Sequence, residues 1–296
     1  MRFALIDEEK SHHSISRMCR VLGVTAAGYY ASKGRAPSAR AIEDEHLKRR
    51  IIFHHAASRG TYGVPRLFDD LADEGIHISR KRIARLMREL GIAGVSGREG
   101  TRRRRKSTVA ETDAVADLVR RDFTADAPNQ VWFADITYVP TWEGWLFLAV
   151  VMDACTKRIV GWSMRDDLRS DIVVDALGMA TTMRRPGAGL VHHSDRGAQY
   201  RSLAFGKSLR DSGILASMGE TGVPHDNAVT ESVMATIKKD CVHRHRFKTR
   251  DEARFAIFDY IEGFYNPHRR HSSLGNLSPA EFEWRLEQRQ LQAAAS

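Results

Sequence analysis

Up to Leu90 the apolar positions recur at helical spacing, and from Val131 onward they recur at strand spacing. Ile15, Met18, Cys19 and Leu22 follow an i, i+3, i+4, i+7 pattern, Gly23 ends that helix, and Thr25 caps a second short helix carrying Tyr29 and Tyr30. Helix, glycine turn, helix is the outline of a helix-turn-helix, and equally of any small helical hairpin. A second such unit runs from a helix over 64–71, through a turn over 75–78, to a helix that Ser79 caps. Its apolar stripe is Ile83, Leu86, Met87 and Leu90, and Gly91 closes it. At about 100° per residue, Lys81, Arg82, Arg85 and Arg88 fall opposite that stripe. A recognition helix would present such charges to a groove or to phosphates, and a merely solvated face would carry them too.

Between the two regimes lies a stretch, 91–112, in which glycines give way to the basic run 102–106 and no apolar period survives. It reads as a basic linker, placed at 93–125, whose Arg102, Arg103, Arg104 and Arg105 are either solvated or laid along a DNA backbone. After it, 131–141 and 145–153 are rich in β-branched and aromatic residues and are separated by Glu143-Gly144, the pattern of a hairpin feeding a buried strand. A third strand is predicted over 159–164. A helix over 170–183, a strand over 190–193, a helix over 203–210, a strand over 214–218 and a long helix from Asn227 follow. A three-strand meander followed by alternating helix and strand is an α/β arrangement, a mixed sheet with flanking helices, here preceded by an all-α N-terminal region. The division expected is 1–92 helical and DNA-binding, 93–125 linker, 126–285 catalytic core with C-terminal helices, and 286–296 tail.

Composition adds three constraints. At roughly 100 to 200 residues per domain, the chain of 296 has room for two. Lys and Arg number 46 against 37 acidic residues, a balance of +9 that favours nucleic acid or another anionic partner. The longest apolar run, 145–152, falls short of the roughly 20 residues a membrane helix needs, and MRFALIDEEK lacks a signal peptide's apolar stretch, so a soluble intracellular protein without a membrane partner is expected. Cys19, Cys155 and Cys241 are far apart with no CxxC, which leaves neither a disulfide framework nor a cysteine-rich zinc site.

The carboxylates carry the chemistry. Asp135 interrupts an apolar strand, a costly place for a charge that nothing meets. Asp195 falls at the C-terminal end of a strand, where open α/β sheets place ligands. Glu231 lies one turn into the helix from Asn227, off the face shared by Val229, Val233 and Ile237, with Lys238 two turns further along its own face. Asp153 is the rival carboxylate, but its setting, DACTKR, reads as a turn between strands. Three carboxylates brought together would repel unless divalent cations joined them, and hard oxygen donors suit Mg²⁺ or Mn²⁺. Spacing leaves open whether the three form one cluster or are unrelated.

The wording of the chain narrows this. VWFADITYV, HHSDRGAQY, SMGETGVPHDNAVTESVMATIKKD and YNPHRRHSSLGNLSPAEF, in that order, resemble the catalytic (second reading frame, OrfB-type) subunit of insertion-sequence-three family transposases, in the retroviral-integrase, or DDE, superfamily. The 35 residues between Asp195 and Glu231 match that superfamily's acidic spacing. MCRVLGVTAAGYYA, TYGVPRLFDDL and KRIARLMRELGI resemble the family's helix-turn-helix units, so the likeness spans nearly the whole chain.

The resemblance implies an RNase H-like core in which Asp135, Asp195 and Glu231 are catalytic and bind two Mg²⁺ ions, with Mn²⁺ as substitute. It implies that Lys238 touches the terminal DNA, and that Trp132, His193, Ser194, Arg196, Gly197 and Asn227 shape the site. The segment 219–225 is less basic than is usual in the family, and Ala198 stands where Ser is common; both bear on DNA affinity rather than on the triad. The zinc module of the viral members is missing, since His12, His13 and Cys19 lack a closing CxxC.

The implied function is cleavage of double-stranded DNA at the ends of a mobile element and joining of the freed 3′-hydroxyl to new DNA, in the bacterial cytoplasm at the nucleoid. A homo-oligomer on DNA is expected, with a possible upstream-frame component, because the chain has no sustained heptad pattern of its own. The alternatives are a non-catalytic DNA-binding regulator and an RNase H-like nuclease without strand transfer.

Overall fold

The computed structural model describes residues 2–95, 125–219 and 228–294. Most of the expected linker, with Arg102, Arg103, Arg104 and Arg105, lies outside the described residues.

The chain opens with three short helices, α1 (Arg2–Glu9), α2 (Ile15–Val21) and α3 (Ala26–Lys33). They enclose a small cluster of Ile6, Met18, Cys19 and Tyr29, and the Thr25 side chain caps α3 by accepting from the Gly28 N–H at 3.0 Å. Next come α4 (Ala39–Ala57), α5 (Val64–Asp73) and α6 (Arg80–Glu89). Ser79 caps α6 as the sequence predicts. The stripe on α6 packs on Leu67 and Leu71 of α5 and on Leu47 and Ile51 of α4.

The sheet is formed by β1 (Val131–Thr141), β2 (Gly144–Asp153), β3 (Ile159–Arg165), β4 (Val191–Ser194) and β5 (Leu215–Met218), in the order β3-β2-β1-β4-β5. The first three strands pair antiparallel, and β1-β4 and β4-β5 pair parallel. The expected mixed sheet is therefore observed. Alternation along β1 and β2 divides the core into two. Trp132, Ala134, Ala149 and Val151 face α7 (Asp171–Arg184) and α8 (Leu203–Asp211). Phe133, Val139, Leu148, Val150 and Met152 face α9 (Ala228–Asp240) and α10 (Arg250–Tyr260). The α7 helix lies so close on β3 that a Cβ at Gly161 would stand 2.2 Å from the Ala176 carbonyl oxygen, so only glycine fits there.

α10 continues through a π-helical turn, Ile261–Tyr265, into α11 (Asn266–His268), and α12 (Pro279–Ala294) ends the described chain. The expected tail boundary at 285 falls inside α12, an unbroken helix. The cluster on the α9 side of the sheet does not stop at the sheet: it runs on through Tyr260, Phe264 and Tyr265 to Tyr62, Leu67 and Leu86 of the N-terminal helices. Polar contacts reinforce that joint. The Tyr62 hydroxyl donates to the His268 carbonyl at 3.1 Å and accepts from the Arg270 N–H at 2.7 Å. The Arg270 guanidinium meets Asp70 at 2.6 Å, and Arg59 meets Asp259 at 2.5 Å.

Candidate active site

β1 runs beside β4 with Ala134 opposite Ser194, and there β4 ends. The next residues along the two segments are Asp135 and Asp195, so the register brings these two residues to neighbouring positions where β4 ends. Asp135 is half-buried and Asp195 exposed. Each is oriented by a backbone donor: Asp135 Oδ1 accepts from the Ile136 N–H at 2.8 Å, and Asp195 Oδ1 from the Gly197 N–H at 2.9 Å. The residues around Asp195 hold its turn in place. Arg196 Nε donates to the Gly219 carbonyl at 2.9 Å, which ties the turn to the end of β5. His193 and Ser217 meet at 2.9 Å across the β4-β5 pair, and Ser194 Oγ donates to the Asp195 carbonyl at 3.2 Å.

Tyr200, quoted in the HHSDRGAQY motif but given no role from sequence, is buried against this turn, where burial and the charges of Asp135 and Asp195 hold its phenol well above the ordinary range. The only sequence signal was an aromatic residue soon after Asp195. His192 is also buried, but its ring packs against Tyr200 and Phe205 among the core residues on the α7 side. Trp132 is fully buried and donates from Nε1 to Asn129 Oδ1 at 3.3 Å. Asn227 lies outside the described residues.

Glu231 is exposed in the first turn of α9, which packs on β1 through Val233, Met234 and Ile237. Lys238 is half-buried near the other end of that helix. Asp240, the last residue of α9, pins the helix: it is buried, pairs with Arg269 at 2.6 Å and accepts from the Tyr260 hydroxyl at 3.1 Å. This pair was not singled out from sequence, because its members come from distant segments. The structure thus brings Asp135 and Asp195 together, with the helix bearing Glu231 over the same strand. Among the described residues no three His, Cys, Asp or Glu side chains stand close enough to hold an ion.

Asp153 belongs elsewhere. It is fully buried and accepts from the N–H groups of Asn129, Cys155 and Thr156 at 2.7 to 3.0 Å and from the Thr156 hydroxyl at 3.1 Å, closing the turn between β2 and β3. On α6 the basic quartet divides. Arg82 pairs with Glu43 and Asp44, and Arg85 with Asp44 and Glu89, at 2.6 to 2.9 Å. Lys81 and Arg88 are exposed and form no ion pair among the described residues.

An integrase core domain family matches residues 125–224, a second integrase core domain family matches 212–279, and an HTH-like domain matches 41–105. Sheet, strand-end carboxylates and these matches define an integrase-core polynucleotidyl transferase joined to an HTH-like domain. Among its relatives are the insertion element IS600 31 kDa protein of Shigella sonnei, 42% identical over 92% of this chain and 99% of that one. Transposase InsF for insertion sequence IS3A of Escherichia coli is 36% identical over 96% of this chain and 98% of that one. The chain belongs to the insertion-sequence-three family of transposases, enzymes of DNA transposition. Among solved structures, the HTLV-2 integrase catalytic core in complex with magnesium is similar over 54% of this chain and 98% of its own, at 17% identity and a TM-score of 0.38. No helix among the described residues is long and apolar enough to cross a membrane.

Proposed function

We propose that the protein cleaves DNA at the ends of its own insertion sequence and joins the freed 3′-hydroxyl to a new phosphodiester, with Asp135, Asp195 and Glu231 as catalytic residues and as ligands of Mg²⁺, for which Mn²⁺ can substitute. The observation that supports this best is the register of β1 on β4, which sets Asp135 and Asp195 beside each other at a strand end under the helix that carries Glu231. The donor set fits a hard divalent cation: the donors are carboxylate oxygens, with no thiol among them, and a backbone N–H orients Asp135 and another orients Asp195. Bound there, such ions would supply positive charge to the oxygens entering and leaving phosphorus.

The chain's own residues position the DNA. Water and then a 3′-hydroxyl are the nucleophiles of two like displacements, so one site serves both. Lys238, on the same helix as Glu231, contacts the phosphates of the terminal DNA. Lys81 and Arg88 contact the backbone from α6, and Arg82 and Arg85 join them from a position in which they also hold α6 to α4. Arg102, Arg103, Arg104 and Arg105 run along phosphates between a DNA-binding region, 1–92, and the catalytic core, 126–285. The working assembly is a homo-oligomer on DNA, with an upstream-frame component where one is made, acting at the nucleoid in the cytoplasm.

The test is incubation of the full chain with its element-end DNA and Mg²⁺, followed by separation of nicked and joined products. Both products are expected. Nicks without joined DNA would leave a nuclease, and bound but unaltered DNA a regulator; either result contradicts the proposal.

A further inference from the structure

Tyr200, in the turn after Asp195, carries a buried hydroxyl with no role in the site so far. Its residue is 4% exposed, and its ring packs edge-on against Phe205 at 5.4 Å between centroids, with His192 on another side at 6.1 Å. The phenolic oxygen is enclosed and has no hydrogen-bond partner among the described residues. A phenylalanine would fill the ring position without leaving a polar atom unsatisfied, so the hydroxyl is a cost to the fold as it stands.

Its location gives that cost a purpose. Asp195 Oδ1 and the Tyr200 ring flank the same glycine: the point where a Gly197 side chain would begin lies 3.0 Å from the carboxylate oxygen and 3.6 Å from the ring carbon Cδ2. The Tyr200 N–H donates to the Gly197 carbonyl at 3.1 Å and closes the turn that holds both groups. A phenol is protonated near neutral pH and so is a hydrogen-bond donor there. Carboxylates that bind an ion are in turn hydrogen-bonded by neighbouring donors, which fix their orientation.

We propose that Tyr200 is a positioning residue of the ion site, whose hydroxyl donates to the Asp135 and Asp195 carboxylate pair when a divalent cation draws that pair together. The inference rests on the reading of Asp135 and Asp195 as ion ligands. It assigns Tyr200 no contact with DNA and no proton to transfer.

Two measurements on the full chain test it. Mn²⁺ binding is followed by the loss of the free-ion electron paramagnetic resonance signal for wild type, Tyr200→Phe and Asp195→Asn, and thermal melting of the same proteins is recorded in EDTA. Tyr200→Phe is expected to melt in EDTA at or above the wild-type temperature and to bind Mn²⁺ about tenfold more weakly. Unchanged Mn²⁺ affinity in Tyr200→Phe, while Asp195→Asn loses binding, overturns the role of Tyr200 and leaves the ion site standing. Equal binding by Asp195→Asn and wild type, or no binding by wild type, overturns both. A Tyr200→Phe protein that melts several degrees lower in EDTA, or does not fold, shows that the hydroxyl already serves the metal-free fold and also overturns the proposal.

Discussion

His192 and Arg269 show how much a single buried polar group governs in this molecule. Burial, with the neighbouring His193 adding to it, pushes His192 from 6.5 down to about 4. Between those values the unfolded chain takes up a proton that the folded chain refuses. Stability is therefore complete above pH 6.5 and falls as pH drops toward 4, by about 2 kcal/mol at pH 5 for such a shift. Burial moves His271 in the same direction, to about 3. Urea midpoints measured at pH 7 and pH 5 are expected to fall on acidification, and His192→Asn to flatten the difference; an equal slope in the variant would contradict it. Arg269 is buried opposite Asp240, and Arg269→Met would leave that carboxylate enclosed without its cation. A loss of about 3–5 kcal/mol in urea unfolding is expected, and a change below 1 kcal/mol would show that water already reaches the pair. Neither partner was legible in the sequence, because a pair formed between the end of α9 and a loop past α11 leaves no local pattern.

The strands and α6 are legible in the sequence because one face of each is apolar. The strands lie within a residue or two of the expected positions, and α6 ends with the stripe and cap that sequence assigned it. The α4 helix was not foreseen, because among its nineteen residues only Leu47 and Ile51 are buried and the remainder mixes charged and apolar side chains on every side. That omission hid the partners of Arg82 and Arg85, which are carboxylates of α4 rather than solvent. The consequence is measurable. Lys81→Ala and Arg88→Ala are each expected to lower the slope of log affinity for DNA against log salt by about 0.9 while leaving thermal stability unchanged. Arg82→Ala is expected to lower the stability of the helical region as well. A flat response to both exposed substitutions would mean that this face of α6 is only solvated. On α9, Lys238→Ala is expected to raise the DNA concentration needed for half-maximal cleavage, and Lys238→Glu to raise it further, since it sets a negative charge against the same phosphate. Superimposed titrations of the three proteins would remove Lys238 from the DNA contact.

Across the whole molecule, the helices α4 to α6 and the catalytic sheet share one hydrophobic cluster, whereas α1 to α3 enclose their own. Sequence reading divided the chain at its basic linker, because composition changes there. It had no means of seeing that Tyr62, Asp70 and Arg270, some 200 residues apart, would meet. Unfolding of α4 to α6 and of the sheet is accordingly expected to coincide, whether followed by tryptophan fluorescence from the sheet or by far-ultraviolet circular dichroism. Separate transitions would show the joint to be weak. Two of the three proposed site carboxylates stand out by their setting, Asp135 for interrupting an apolar strand and Asp195 for following the end of one. Glu231 does not, since an exposed glutamate in a helix's first turn is ordinary, and its assignment comes from spacing and resemblance.

Conservative substitution tests the roles of these three carboxylates most directly. Asp135→Asn, Asp195→Asn and Glu231→Gln each remove one ligand charge with almost no change of volume. The measurement is strand joining of element-end DNA in Mg²⁺ by each variant beside wild type, with DNA binding determined on the same preparations. Each variant is expected to lose cleavage and joining together and to bind DNA nearly as wild type does; near-normal joining by any one of them would contradict its place in the site.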